Sequence, residues 1–279
     1  MKLATFETGG VEHIGIVSGD GLIELPGDMV SLIRDWAKRK EDVTRIAREE
    51  KPQYKLSGVH LLAPVPRPQK ILAIGLNYAD HIQESGQPMP ERQIWFSKLP
   101  NAVNGPFDAI EIPKASAAVD YEAELVFIIA KRCRDISRED AANVVFGYCA
   151  GNDISVRDWQ FQTSQWILGK SFDTHAPFGP FIVTADEVGD PHTLGIRCFV
   201  NGEKRQDSNT QNLVFDVYDQ VALLSRTMTL FPGDVIFTGT PGGVGFASRP
   251  PNFLKSGDVV RVEVDRVGAI EAKMAPQSP

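Results

Sequence analysis

A short segment at residues 120–129 reads DYEAELVFII and decides the character of the chain. Its second half, Leu125 to Ile129, is apolar at every position, which is typical of a β-strand buried on both faces. Glu122 and Glu124 are two residues apart, so a strand would direct both carboxylates to one face. Like charges this close are unfavourable unless a cation or a proton neutralises one of them. A solvated strand face is the alternative, and the unbroken apolar run argues against it.

The segment Gly151-Asn152-Asp153 supplies a third acidic residue. If Asp153 came from a neighbouring element, it would complete an all-oxygen site suited to Mg2+ or Mn2+. Asp120 lies two residues before Glu122 and belongs either to the same strand face or to the preceding turn. We therefore expect a divalent-metal site built from Glu122, Glu124 and Asp153.

Strand patterns dominate the chain outward from this segment and are separated by Gly and Pro. We expect strands at residues 124–130, 144–149, 181–184, 194–200, 234–238 and 258–267. Helical patterns are confined to about residues 137–143, 155–161 and 214–228. Because strands outnumber helices and do not alternate with them regularly, a doubly wound parallel sheet is disfavoured. The expected fold class is mainly β with α+β elements, arranged as a roll, sandwich or barrel.

The first sixty residues combine short strands with a helix. Val11 to Val17 reads as a strand, and residues 19–21 read as a turn into a second strand. From Met29 to about Glu50, apolar residues recur at helical spacing with charged residues between them. This segment is expected to form a small α/β unit.

A proline-rich segment from Pro64 to Pro68 reads as a stiff, extended connector. We therefore expect a small N-terminal α/β domain at residues 1–65 and a catalytic domain at residues 66–275. The tail from Ala275 to Pro279 is expected to be disordered.

Composition limits the kind of partner. The 279 residues are 42% hydrophobic and 23% charged, with a formal net charge of −7 at pH 7, which is ordinary for a globular protein. The negative charge argues against nucleic acid or an anionic membrane surface as a partner. The three cysteines are widely spaced and fit a reducing compartment, and the N-terminus lacks a signal-peptide core. We therefore expect a cytoplasmic protein.

Two further segments carry side chains suited to chemistry. Lys170 lies among apolar and small residues, where a buried ammonium would need an anionic partner. An equally good alternative is that its ammonium reaches solvent. A glycine-rich loop at residues 239–245 follows a strand and places backbone amides and Thr240 where a ligand oxygen could approach. A tight structural turn is the alternative there.

Two pairs of polar residues complete the candidate set. His81 and Glu84 would be neighbours on a short helix, and the acid would raise the basicity of the imidazole, as suits a general base. Arg157 and Gln160 would present fixed donors to a carboxylate or an oxyanion. Incidental surface positions are the ordinary alternative for both pairs.

The joint order of these motifs resembles the fumarylacetoacetate hydrolase family from about Ile71 to Val264. The matching pieces are GLNYADH at 75–81, DYEAEL at 120–125, NDISVRD at 152–158, GKSFD at 169–173, NGE at 201–203, GDVI at 233–236 and GTPGGVG at 239–245. The resemblance implies a mixed β-sandwich roll or barrel with a small N-terminal domain, assembled as a homodimer.

The resemblance also implies roles for individual residues. The metal, Mg2+ or Mn2+, would be held by Glu122, Glu124 and Asp153. The catalytic group would comprise a dyad, an oxyanion hole and a lysine, namely His81 with Glu84, Arg157 with Gln160, and Lys170. The substrate-binding group would comprise Tyr78, Gly239, Thr240 and His175. For His175, contact with a polar substrate tail and a structural role are both open.

The leading expectation for function is a metal-dependent hydrolase that cleaves a C–C bond of a 2,4-diketo acid to pyruvate and a carboxylic acid. An acylpyruvate-type sugar-acid or aromatic catabolite would be such a substrate. The alternative is an oxaloacetate decarboxylase or an unsaturated-diacid isomerase that uses the same enolate chemistry. A non-catalytic metal or metabolite binder is the reading from a different class, and the complete residue set argues against it.

Overall fold

The computed structural model describes residues 1–278. Nineteen strands occur in that range: β1 Lys2–Thr8, β2 Val11–Ser18, β3 Gly21–Leu25, β4 Tyr54–Lys55, β5 His60–Leu61, β6 Ile71–Gly75, β7 Ile94–Lys98, β8 Val103–Asn104, β9 Ile110–Ile112, β10 Val119–Asp120, β11 Ala123–Ile129, β12 Val145–Asn152, β13 Ser155–Val156, β14 Ala176–Thr184, β15 Gly195–Val200, β16 Glu203–Asn209, β17 Val235–Phe237, β18 Val259–Val264 and β19 Gly268–Pro276. The same range contains seven α-helices: α1 Met29–Arg34, α2 Trp36–Glu49, α3 Ala79–Ser85, α4 Arg157–Gln160, α5 Ile167–Lys170, α6 Ala185–Val188 and α7 Val217–Thr227. The fold is mainly β, as the sequence predicts.

One large mixed sheet organises the molecule. Its main path runs in the order β4-β3-β2-β1-β14-β12-β11-β17-β6-β7, with β5 and β8 attached to it. The strand that carries the acidic motif, β11, lies inside this sheet, antiparallel to both β12 and β17. Every residue of β11 is buried, which confirms the strand predicted from the apolar run.

A separate core covers each face of β11. Leu125 and Phe127 belong to a core that includes residues of a second, five-stranded sheet ordered β16-β15-β18-β19-β9. Val126 and Ile128 point to the opposite face and belong to a core shared with the N-terminal strands and helices. Because both faces are covered by apolar side chains, the sequence of β11 has no polar alternation.

The N-terminal strands extend the large sheet. Strand β1 pairs antiparallel with β14, with Leu3 opposite Ile182. The single helix expected from Met29 to about Glu50 is divided into α1 and α2 at Asp35, which ends one helix and begins the next. The division arises because the backbone N–H of Asp35 closes the last turn of α1 on the carbonyls of Ser31 and Ile33. The apolar spacing alone did not reveal this break.

Two other expectations need correction. The helix expected at residues 137–143 is a short 3-10 turn, Ala141–Val144, and that expected at 155–161 is only the four-residue α4. The tail is ordered rather than disordered as far as Ser278, since β19 runs to Pro276 and pairs with β9. The backbone N–H of Gln277 then donates to the carbonyl of Ile112 at 3.1 Å. Pro279 lies outside the described residues.

The helices of residues 1–278 were also compared with the thickness of a bilayer. Within that range, no helix is both long enough and apolar enough to cross a membrane.

Candidate active site

Three carboxylates converge where β11 begins and β12 ends. Pairing of Ala123 with Asn152 brings these strand ends together, and the backbone N–H of Asp153 donates to the carbonyl of Glu122 at 2.9 Å. One oxygen from each of Glu122, Glu124 and Asp153 lies within 4.8 Å of the others. The three residues are at most 5% exposed. The structure thus assembles the acids that the sequence places in one site.

Three buried cations surround these acids. The Nζ of Lys170 donates to Glu122 Oε2 at 2.6 Å and to Asp153 Oδ2 at 2.7 Å. Arg157 Nη1 lies 2.7 Å from Glu122 Oε1. On the far side, Lys98 Nζ donates to Asp153 Oδ1 at 2.5 Å. These three cations and the three carboxylates are called the floor below.

The charges of the floor are not evenly matched. Burial raises the pKa of the Glu122 carboxyl, but the charges of Lys170 and Arg157 outweigh burial and hold that pKa well below its ordinary value. Burial and the negative charges of Asp153 and Glu122 raise the pKa of the Glu124 carboxyl well above its ordinary value. A divalent cation would displace the proton of Glu124 and neutralise the excess negative charge. The all-carboxylate donor set therefore fits Mg2+ or Mn2+.

The glycine-rich loop after β17 supports the floor. The backbone N–H of Gly239 donates to Glu124 Oε2 at 2.7 Å. Gly239 has φ +100°, and a Cβ there would lie 2.8 Å from the Cβ of Asn77, so the close approach requires glycine. Thr240 Oγ1 accepts a hydrogen bond from Gln206 Nε2 at 2.8 Å. Gly239 thus positions an acid rather than contacting a substrate, as had been expected, whereas Thr240 lines the cavity.

The expected dyad is present as a pair of neighbours on α3. His81 Nδ1 lies 3.6 Å from Glu84 Oε2, which is too long for a hydrogen bond. The backbone N–H of Gly243 donates to both Glu84 oxygens, at 3.0 and 2.9 Å. Partial burial raises the pKa of the Glu84 carboxyl, but His81 and the Gly243 N–H outweigh burial and leave that pKa below its ordinary value. Glu84 is therefore an anion fixed beside the imidazole.

A cavity of about 380 Å3 opens above the floor. Its inner wall contains Glu122, Glu124, Lys170, Arg157, Gln160, Thr240, His81 and Glu84. Arg157 Nη1 donates to Gln160 Oε1 at 2.9 Å, so the expected oxyanion pair is connected. The exposed outer part of the cavity is formed by Phe161, Phe246 and Arg249, which are called the rim below.

Two family profiles match the chain. The profile of the fumarylacetoacetate (FAA) hydrolase C-terminal family matches residues 70–275. The profile of the Rv2993c-like N-terminal family matches residues 1–64.

The chain belongs to the fumarylacetoacetate hydrolase family.

Relatives within the fumarylacetoacetate hydrolase family have different named activities. The chain is 44% identical to the mitochondrial oxaloacetate tautomerase fahd2 of Xenopus laevis, over 97% of this chain and 89% of that protein. It is 34% identical to the maleylpyruvate hydrolase of Sphingobium sp. SYK-6, solved with manganese(II) and pyruvate, with TM-score 0.84 and full coverage of both chains. It is 33% identical to the 5-carboxymethyl-2-hydroxymuconate delta-isomerase of Mycobacterium smegmatis, with TM-score 0.81 and full coverage of both chains.

Two residues expected to bind substrate lie away from the cavity of this family member. The side chain of Tyr78 is fully buried, and its hydroxyl has no hydrogen-bond partner among the described residues. His175 is also fully buried, and its Nε2 lies 2.8 Å from the carbonyl of Glu111. Burial lowers the pKa of His175 to about 3. A structural role, which the sequence left open for His175, fits both positions better than substrate contact.

The sequence analysis missed the part that Lys98 and Asp120 play. Lys98 ends a strand, so its alternating pattern suggested no special environment, yet its side chain is fully buried against Asp153. Asp120 accepts hydrogen bonds from Arg157 Nε at 2.8 Å and from the backbone N–H of Phe246 at 2.9 Å. Asp120 therefore connects the floor to the rim. Its position two residues before Glu122 was the available signal.

Proposed function

We propose that this protein is a divalent-metal-dependent enzyme that moves a proton to and from C3 of an α-keto acid. The reaction we favour is the keto–enol tautomerisation of oxaloacetate. The observation that carries the proposal is a cavity with a buried, proton-holding carboxylate floor on one side and the His81–Glu84 pair on another. The high identity to the Xenopus tautomerase over nearly the whole chain supports this order of candidates.

The residues of the site can divide the reaction between them. Bound Mg2+ or Mn2+ would supply Lewis acidity toward the carboxylate and 2-oxo oxygens of the substrate. His81, made more basic by the fixed anion of Glu84, would take a proton from C3. The electron pair of that C–H bond would move toward the 2-oxo oxygen, which would take up a proton to complete the enol. Lys170 would add positive charge beside the developing oxyanion.

This proposal can be tested with the enol form of oxaloacetate. Its ultraviolet absorbance should decay faster with the Mg2+-loaded protein than in buffer, and EDTA should remove the acceleration. The total of keto and enol oxaloacetate should stay constant, since tautomerisation breaks no C–C bond. A protein that leaves the decay rate unchanged at every Mg2+ and Mn2+ concentration would rule out tautomerase activity.

Hydrolysis of a 2,4-diketo acid, the leading expectation from the sequence, is the second candidate. Two observations favour it: the cavity extends beyond the floor into an aromatic rim, and Arg157 and Gln160 are joined beside it. His81 would then direct water to C4, Arg157 and Gln160 would stabilise the oxyanion, and the C3–C4 bond would break to give pyruvate and a second acid. Pyruvate release from acetylpyruvate or maleylpyruvate, measured with a coupled assay, separates this reaction from tautomerisation.

The expected homodimer is also retained as a proposal. Light scattering after size exclusion should give twice the chain mass of 30.7 kDa. A single peak at the mass of one chain would contradict it.

A further inference from the structure

The rim carries a cation whose charge is not matched within the chain. Arg249 lines the cavity and is exposed. Its Nη1 donates only to the carbonyls of Ala247, at 3.3 Å, and Ser248, at 3.2 Å. Within residues 1–278, no carboxylate lies within ion-pair distance of it, whereas Lys170 and Arg157 on the inner wall are each paired with two acids. Arg249 is therefore the charge of this cavity that is available to an anionic ligand.

An aromatic pair lies between this cation and the floor. The rings of Phe161 and Phe246 are 5.2 Å apart, and the two residues are 54% and 42% exposed. The guanidinium of Arg157 lies 5.9 Å from the ring of Phe246, on the floor side. Two large exposed aromatic residues that share a cavity wall form an apolar surface suited to a ligand chain.

The size of the cavity agrees with a ligand longer than oxaloacetate. A volume of about 380 Å3 lies in the range of pockets that enclose ligands much larger than a four-carbon acid. The floor and His81 would occupy only the keto-acid end of the substrate. The remaining space is bounded by the rim, so a second group of the substrate would meet apolar rings first and a guanidinium last.

We propose that the rim is a subsite for the far end of a long 2-oxo diacid, with the chain against Phe161 and Phe246 and the distal carboxylate on Arg249. This inference rests on the proposed function for the keto-acid end of the substrate. It adds the substrate class: a diacid whose two carboxylates are separated by an apolar chain. Arg249 is then a specificity-determining residue.

The test compares ligands that share one end and differ at the other. Titration calorimetry with the Mg2+-loaded protein would measure 2-oxopimelate, a diacid, 2-oxoheptanoate, its monoacid counterpart of equal length, and oxalate, which has no tail. Arg249→Met keeps the length of the side chain and removes its charge. We expect the variant to bind 2-oxopimelate about 10- to 100-fold more weakly, as for the loss of a charged hydrogen bond. Binding of 2-oxoheptanoate and oxalate should be unchanged, and Arg249→Lys should restore part of the affinity for the diacid.

Two outcomes would overturn the inference. One is a wild-type protein that binds the diacid and the monoacid equally well. The other is an Arg249→Met variant that weakens both to the same extent, since that would indicate a general disturbance of the cavity. The proposed function fails separately, because it predicts oxalate binding and metal-dependent turnover of oxaloacetate in wild type and Arg249→Met alike. Loss of oxalate binding in wild type would count against the keto-acid site, not against Arg249.

Discussion

The floor and the rim of the cavity are built in opposite ways. Floor residues are buried, belong to the long strands β11 and β12 or pack against them, and carry charges that contact one another. Rim residues are exposed and come from the end of the short helix α4 and from a loop after β17. A buried charge network tolerates few changes, whereas loops tolerate many. The comparison assigns the chemistry to the floor and the choice of substrate tail to the rim.

The largest expected effect follows from changing a floor acid. Glu124→Gln keeps the acceptor for the Gly239 N–H and resembles the protonated acid that the raised pKa of Glu124 already favours. Folding should therefore be preserved. Metal affinity, measured by calorimetry, should fall by at least about 100-fold, the upper end of what a residue behind the ligands contributes. Turnover of oxaloacetate should fall by at least about a thousandfold, because the metal supplies several kcal/mol.

The matched control for Glu124→Gln is Glu139→Gln, at an exposed position. It should change neither the metal affinity nor the rate. Full metal affinity in Glu124→Gln would remove Glu124 from the ligand set and end the distinction between floor and rim.

The second prediction concerns the stability of the floor. Lys98 and Asp153 are both fully buried and paired. Removing one partner of such a pair leaves the other charge unpaired, so Lys98→Met should lower the free energy of unfolding by about 3–5 kcal/mol, measured with urea. Lys40 pairs with Asp186 at an exposed site, and Lys40→Met should cost less than about 1 kcal/mol. Equal costs at the two sites would show that the floor is no more demanding than the surface.

The third prediction tests the group between floor and rim. His81→Ala should lower kcat for tautomerisation by about 100- to 1,000-fold, in the range expected for loss of a general base. Metal affinity should stay at the wild-type value, because His81 is not among the converging carboxylates. Glu84→Gln should be milder, since the Gly243 N–H still holds the side chain in place. Normal turnover in His81→Ala would remove the dyad from the mechanism.

The same contrast explains what the sequence could predict. An apolar run with two acids, as at Glu122 and Glu124, predicts a buried strand and a charge that needs a cation, because strand periodicity fixes which side chains share a face. Asp153 was found because its motif recurs in a fixed order with the others. The rim had no such signal, since Phe161 and Phe246 come together only through tertiary folding. Isolated exposed aromatic residues in short loops are common on surfaces.

The fourth prediction extends the floor to the buried residue behind it. Burial lowers the pKa of His175 to about 3 from an unfolded value of 6.5. The unfolded chain therefore binds more protons than the folded chain between these pH values, and stability should fall as pH drops through that range. For this one group the slope approaches about 1.4 kcal/mol per pH unit. His175→Gln should flatten the slope of unfolding free energy between pH 4 and 6, while an unchanged slope would place the titration elsewhere.

The smallest expected effect lies at the rim and decides whether the comparison is useful. Phe161→Ala removes one ring of an exposed pair, so affinity for 2-oxoheptanoate should fall about threefold to tenfold, as for one aromatic contact. Oxalate affinity and the free energy of unfolding should not change, because neither depends on the tail subsite. Phe107 is similarly exposed, at 51%, but lies outside the cavity, and Phe107→Ala should leave all three quantities unchanged. If Phe161→Ala instead weakened oxalate, the rim would be part of the keto-acid site, and substrate choice and chemistry could not be separated in this cavity.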